Sequence, residues 1–376
     1  MKKYFSAYVP RKTTFADIQK SVISFDTNSI LNLYRFKLET AKEFILSIKS
    51  VKNNVWLPYI VALEYNDLRT TVIKQEREYL DGLAARINKF KDEMLSLTTN
   101  RDHNLFPFDL FNEKIKNSTN ELSKIIFSCQ SGQRDLFRND PIRDEIFSLF
   151  DEKIGEPISA TSLCDIYKTA SVRFSSKIPP GYMDEKNKSG REKLYGDTVI
   201  KTEYSDYIMW HELLEKTHKL NMPLILVTDE KKEDWILKVN GMNLGARPEL
   251  ITEMMIKSGQ LFSIISSLEF ISLMRSGGEV NISQESFDDI KKITTPTWKN
   301  VVINAFKSMG NTATLNELYH WIEINKPRPL TKEWKVTARK TVYYYCPDCD
   351  IYIGNNPLFE QIGNATYRFL GNDYEF

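Results

Sequence analysis

Asp26 closes the apolar run Val22–Phe25 and is followed by the polar cluster Thr27-Asn28-Ser29, which opens an amphipathic helix. A short apolar run followed by turn and cap residues reads as a buried strand feeding a helix. Far along the chain, Pro223–Thr228 repeats the design and ends in Asp229. In an open α/β sheet the ligand site lies beyond the carboxyl ends of the strands. Two buried strands ending in Asp therefore suggest a paired-carboxylate site, although both acids are equally suited to cap the helices that follow. Asn28 offers a neutral oxygen ligand or a helix cap. Glu64 falls on the apolar side of a helix beginning near Pro58, where an unpaired carboxylate is costly. An ion pair with Arg69 or a nearby lysine is its structural alternative. Asp197 follows Gly196 and is expected on the first turn of a helix spanning Thr198 to Leu220, packed on the sheet, and Asp206 competes with it less strongly. Asp234 is the alternative to Asp229, which is preferred because it ends its strand directly.

Carboxylates gathered in this way cannot all stay ionised without a cation nearby. Hard divalent ions such as Mg²⁺ and Mn²⁺ are held by a few carboxylates together with water and phosphate oxygens. Such an ion activates water for in-line attack on a phosphodiester and stabilises the leaving oxygen. No histidine, serine or cysteine arrangement competes as a nucleophilic site.

The elements that must position these acids follow from periodicity. Leu38 to Val51 carries Ala41, Phe44, Ile45 and Ile48 on one helical face, and Val55-Trp56-Leu57 reads as a second short strand ending at Pro58. Residues 70–158 are charge-rich and helical, an elaboration on the sheet domain whose charge runs are solvated faces. His103 falls in a loop-like segment with a surface role. Ile178 to Thr198 begins with a Pro-Pro-Gly turn and becomes densely charged. Leu261 to Ile265 is the last strand, and a helix follows it.

With 376 residues the length prior is two domains, and 41 % hydrophobic with 12 % aromatic residues is enough for substantial cores. A net charge of +1 means that nucleic-acid binding would have to come from local patches. The N-terminal residues contain no apolar run suited to a signal peptide, and no window approaches the ~20 apolar residues of a membrane span. Four cysteines in a chain of this length point to reduced thiols and to the cytoplasm. Cys346 and Cys349 form a lone C-x-x-C that lacks the second pair or histidines a structural zinc would need.

Residues 276–293 are glycine-containing and polar, and read as a linker. Beyond it, 294–376 reads as three helices and a small β-wing, a winged helix-turn-helix whose third helix, Thr331 to Tyr345 with Thr331 as N-cap, is the usual nucleic-acid reader. Lys326, Arg328, Lys332, Lys335, Arg339 and Lys340 lie on or beside it against the single acid Glu333. Lys332, Lys335, Arg339 and Lys340 are the candidate nucleic-acid contacts, with a protein-interaction module as the alternative.

FDTN at Phe25–Asn28, LEYNDLR at Leu63–Arg69, YGD at Tyr195–Asp197, VTDEKKEDW at Val227–Trp235 and GARPEL at Gly245–Leu250 occur in this order. Through them the chain resembles the PIN-domain ribonuclease superfamily, in particular its bacterial PIN-like branch with a large insertion. The resemblance implies an α/β fold, an α/β/α sandwich around a mostly parallel sheet, over about 1–275 with the helical insertion at 70–158. It also implies a Mg²⁺ or Mn²⁺ site and hydrolysis of RNA. Asp26, Glu64, Asp197 and Asp229 are the expected catalytic and metal-binding residues, with Asn28, Asp234 and Arg247 as secondary candidates. The expectation is a cytoplasmic, metal-dependent endoribonuclease with no membrane association. By analogy alone, its pairing with a winged helix looks like bacterial defence or toxin-type proteins. The alternatives are an inactive PIN-like regulator that binds DNA, and a nuclease for single-stranded DNA. Oligomeric state stays open, with a homodimer among the options.

Overall fold

The computed structural model describes residues 5–9, 11–98, 106–195, 198–239, 242–325, 328, 330–353 and 357–371. Asp197, His103 and Lys326 lie outside the described residues. Val22–Phe25 (β1), Leu224–Val227 (β2) and Phe262–Ile265 (β3) form a parallel sheet in that order. Phe25 pairs with Val227, and Val227 with Ile265, so all three strands end level. Every residue of β1 and β2 is buried, as parallel strands covered on both faces must be. Val55 and Leu57 extend the sheet only by single bridges, to Ile23 and Ile154, in place of the expected continuous strand. Pro58, which has no N–H to donate, ends the stretch.

Helices cover both faces. On one, Phe25 meets Phe44, Phe150 and Phe270 edge-on, with the Phe270 centroid 5.4 Å away. On the other, Trp210 packs against Phe262 and Trp235. The sandwich is thus built from the apolar stripes of amphipathic helices: α1 (Thr27–Leu31), entered directly from β1, and α2 (Leu38–Ser50), which buries Ala41, Phe44, Ile45 and Ile48.

Helix α3 (Tyr59–Thr98) buries its first turns, through Ile60, Val61, Tyr65 and Val72, and then leaves the core. It pairs antiparallel with α4 (Phe108–Asp135), Thr98 bonding to Asn112 at 2.6 Å and Gln130 to Asp81 at 2.5 Å. This hairpin is the projecting part of the 70–158 elaboration. Its remainder is core: Ile146, Leu149 and Phe150 of the Pro141–Phe150 helix are buried against the sheet domain. The base of the hairpin is locked by Asp140, which accepts from Arg69 (2.5 Å), Tyr34 (2.8 Å) and the Arg143 amide (2.9 Å). Several donors on one carboxylate are what a buried ion pair requires, although the Arg69 Nε itself is left without an acceptor.

The expected helix from Thr198 begins only at Ser205 (α5, Ser205–Leu220). Thr198–Lys201 instead pairs antiparallel with Glu192–Tyr195, consistent with the β-branched run Thr198-Val199-Ile200. A second hairpin, Ile236–Val239 with Met242–Ala246, follows β2. After β3 comes α6 (Ser267–Ser276) and then α7 (Gln284–Thr294).

Helix α7 occupies the stretch expected as a linker. Phe287, Ile290 and Ile293 recur at helical spacing and join the sheet domain's core, while Asp289 accepts the Lys37 amide at 2.7 Å and Glu43 the Ser283 amide at 3.0 Å. Its polar composition masks a narrow apolar stripe.

The C-terminal residues build a second core around Phe306, Leu318, Ala338, Val342, Phe359 and Tyr367. Its elements are α8 (Trp298–Ser308), the strand Thr312–Thr314, α9 (Leu315–Asn325), α10 (Trp334–Tyr344), and the strands Phe359–Gly363 and Thr366–Phe369. The last strand is central in a three-stranded antiparallel sheet. Helix α10 starts later than expected: Glu333, not Thr331, is at its N-cap and makes no side-chain cap bond. Tyr352-Ile353 is not a strand. Cys346 and Cys349 are free thiols, and burial pushes the Cys346 thiol up to about 12. Among the described residues no helix is long and apolar enough to cross a membrane.

Candidate active site

The turn that follows β2 touches four different parts of the molecule through five consecutive residues. Thr228 donates to Asp26, Oγ1 to Oδ2 at 2.7 Å. Asp229 accepts from Asn32 (3.0 Å) and from the amide and hydroxyl of Ser267 (3.1 and 2.7 Å). Glu230 and Lys232 are drawn together at 3.2 Å. Lys231 reaches the carbonyl of Thr294 at 2.5 Å.

Asp26 stands at the N-cap position of α1 and makes no side-chain cap bond, which removes the simplest structural role for it. Its carboxyl is pushed up to about 6, first by burial and then by Glu230 and Glu64, while the Thr228 bond opposes the rise. Glu64 is half-buried and accepts from Thr27 at 2.9 Å. Its alternative partner, Arg69, is held by Asp140 instead. Asn28 is exposed.

Asp206, in the first turn of α5, is pushed up to about 7, chiefly by burial, with Asp184 and Asp26 adding to the rise and Lys232 and Lys188 opposing it. The Trp235 indole N–H reaches its Oδ2 at 3.2 Å. The carboxylates whose fields meet at Asp26 are thus Glu64, Asp206 and Glu230. Asp229 staples β2 to α6, whereas the Glu230 carboxylate accepts the Lys231 and Lys232 amides of its own turn at 2.7 and 3.0 Å and acts on Asp26 electrostatically. Burial raises the Asp229 carboxyl, and the three bonds it accepts pull it back down.

Asp234 is fully buried and accepts the amides of Gly181 and Met183, each at 3.0 Å; it shapes the loop that delivers Asp184. Arg247 pairs with Glu249 at 2.5 Å and donates to the Glu233 carbonyl, so it holds the second hairpin to the following helix. Asp184 binds Lys188 at 2.6 Å and Lys232 at 2.5 Å. These two ammonium groups partly neutralise the acids. Burial works to lower both lysines, but the carboxylates around them hold them above the usual range.

Glu230 and Lys232 lie within the VTDEKKEDW stretch, and Lys188 in a charged segment whose lysines read as phosphate contacts or a solvated loop, but nothing local assigns these residues or Asp184 to the cluster, and Asp206 competes there less strongly than Asp197. Only Asp206 has a usable signal, a carboxylate at the start of a helix whose apolar face covers the sheet. Among the described residues no three His, Cys, Asp or Glu side chains stand close enough to hold a metal ion. The donor chemistry nevertheless suits one: an all-oxygen set, with two carboxyls that burial and their neighbours make hard to ionise, is the kind that prefers hard cations.

On the C-terminal unit, Lys332, Lys335, Arg339 and Lys340 are exposed. Lys335 pairs with Glu323 at 3.0 Å and lies over the rings of Tyr319 and Trp334.

Compared with known proteins, residues 22–250 match a family model described as a PIN-like domain. The match runs from β1 through the β2 turn into the helix opened by Pro248 and includes Asp26, Glu64, Asp184, Asp206, Asp229, Glu230 and Asp234. No curated protein and no solved structure gives a significant match.

Proposed function

We propose, on the premise that this chain belongs to the PIN-like domain family, that it is a divalent-metal-dependent nuclease whose substrate is RNA. The observation that carries this reading is the position of Asp26 directly after β1, held by Thr228 directly after β2 and followed by Thr27, which donates to Glu64, at the carboxyl edge of the parallel sheet. That edge is where open α/β sheets bind ligands. Asp26, Glu64, Asp206 and Glu230 would hold the metal once drawn closer together than they stand here, and a bound Mg²⁺ or Mn²⁺ would supply Lewis-acid activation of water and charge neutralisation at a phosphodiester. Thr228 and Thr27 orient Asp26 and Glu64 by hydrogen bonds. Lys232 holds Glu230 and Asp184 in place. The preference for RNA rests on the resemblance to ribonucleases.

The C-terminal unit is proposed to be a winged helix that binds nucleic acid. Its helix–strand–helix–helix–hairpin order supports this, as does the cationic face of its third helix, α10. The test is incubation of the purified chain with labelled RNA, single-stranded DNA and duplex DNA, each in Mn²⁺, Mg²⁺ or EDTA. RNA cleavage that EDTA abolishes is the expected result.

A second reading, a regulator that binds nucleic acid without cutting it, is favoured by one feature. Lys188 and Lys232 already partner the acidic cluster. Binding without cleavage in any metal would select it.

A further inference from the structure

The turn that carries Glu230 also carries Lys231, whose ammonium leaves the carboxylate cluster and bonds to the Thr294 carbonyl at the end of α7. Arg328, between α9 and α10, donates to the Pro296 carbonyl at 3.0 Å, in the same connecting segment. Its guanidinium lies 5.0 Å from the centroid of the Trp298 ring. Lys238, on the second hairpin, bonds to the carbonyl of Lys231. Three cations from three elements thus converge where the two cores join.

Their partners do not neutralise them. All three bonds go to backbone carbonyls, which carry no net charge. Asp229 and Glu230 act on Lys231, and Glu230 and Glu233 on Lys238, electrostatically, but Asp229 is occupied by Asn32 and Ser267, and Glu230 is paired with Lys232. Arg328 has no carboxylate partner among the described residues, and its Nε is buried without an acceptor. Like charges crowded this way cost stability unless an anion arrives.

The cationic surface continues from this joint in one direction. Trp298 stacks on Trp334 with the rings 4° from parallel and 6.4 Å apart. Lys335 lies 5.4 Å from the Trp334 centroid and starts the face that bears Arg339 and Lys340. In the other direction, Lys231 is the immediate neighbour of Glu230. Trp334 itself is buried in the second core, and it is the run of cations that would track a single nucleic-acid strand, phosphate by phosphate.

We infer that Lys231, Lys238 and Arg328 form a phosphate seat at the joint between the two cores, on which a single nucleic-acid strand runs from the basic face of α10 to the carboxylate cluster. The C-terminal unit then feeds the candidate active site directly. This inference rests on the proposed nucleic-acid substrate but not on cleavage.

The experiment measures binding of a fluorescein-labelled oligouridine, and of a labelled duplex, to the full chain by anisotropy in EDTA across a salt series. K231A/R328A should weaken oligouridine binding by about tenfold or more at low salt, as loss of charge-assisted bonds implies. The log–log salt slope should flatten by about 0.7 for each phosphate that the variant no longer neutralises. K231R/R328K, which keeps the charges, should bind within about threefold of wild type on the same basis. K231Q/K238Q leaves the Arg328–Trp298 stack intact and should lose affinity in the same direction, which covers the case in which R328A unfolds. Affinity and slope unchanged in the folded variants would overturn the seat while leaving the nuclease reading standing. Tighter binding of the duplex than of oligouridine would overturn the single-strand assignment. No salt-dependent binding of any nucleic acid by the wild-type chain would overturn both.

Discussion

Thr228 and Asp26 end neighbouring parallel strands, and the threonine hydroxyl holds the aspartate carboxylate at 2.7 Å. The register that pairs Phe25 with Val227 brings the next residue of each strand into contact. The bond favours the ionised carboxylate against the burial that raises it, and it fixes which oxygen stays open to a ligand. Thr228→Val should therefore lower the cleavage rate by roughly ten- to a hundredfold, the range of a lost bond to a charged group. Thr228→Ser should restore most of the rate, and oligonucleotide affinity should be unchanged in both. Loss of affinity in step with rate would assign Thr228 to binding instead of carboxylate orientation.

Asp26→Asn and Asp206→Asn should each abolish cleavage and Mn²⁺ binding measured by calorimetry. Because each removes a carboxylate that its neighbours repel, the thermal midpoint of the metal-free protein should stay level or rise. Full activity in Asp206→Asn would return the role to Asp197.

Asp229 makes the opposite prediction. Three donors converge on it from α1's end and the start of α6. Asp229→Ala leaves Asn32 and Ser267 without an acceptor and should cost about 2–4 kcal/mol in denaturant unfolding, while a folded sample still binds Mn²⁺. Glu230→Gln should behave the other way, losing the calorimetric heat with little loss of stability.

The pH dependence follows from the raised carboxyls. Asp26 titrates at about 6 and Asp206 at about 7 in the folded chain, against roughly 3.9 when unfolded. Between about pH 4 and 7 the folded state binds more protons than the unfolded one, so stability falls as pH rises through that window. Each carboxyl alone accounts for on the order of 3 kcal/mol. Lys188 and Lys232, which face the cluster, stay protonated throughout. From about pH 4 to pH 7 the metal-free protein should melt progressively lower and then level off, and Asp206→Asn should flatten the decline. A melting temperature that rises over this range would contradict the burial of these acids.

Removal of the C-terminal unit should succeed only at one boundary. Ending the chain after Thr295 keeps α7 and its packing on α2, including Asp289 on the Lys37 amide. This form should melt within a few degrees of full-length protein and keep metal-dependent cleavage of a generic substrate. Ending it at Gly278 uncovers the core that Ile282 and Ile290 bury and should lower the melting temperature by about 5 °C or more. Equal stability of the two forms would show that α7 belongs to the C-terminal unit in energetic terms.

The sheet and the place of Asp26 are legible in the amino-acid sequence. Apolar runs bounded by cap residues have few ways to be buried, and a residue directly after such a run must emerge at the strand's carboxyl end. The same logic located the β2 turn, the insertion hairpin and the helices of the second core, each with a clear period. Tertiary structure decided what one-residue differences mean. Asp229 and Glu230 are adjacent, and only the path of the turn gives one to Ser267 and the other to the Lys231 and Lys232 amides of its own turn. Thr198-Val199-Ile200 continues a helical pattern along the chain, but Glu192–Tyr195 offers it a strand partner, which moves the helix start to Ser205 and brings Asp206 forward. Glu64 is separated from Arg69 by an acid far away in sequence, Asp140. Ion-pair choice, turn direction and strand partnership depend on groups distant along the chain, so local pattern does not carry them.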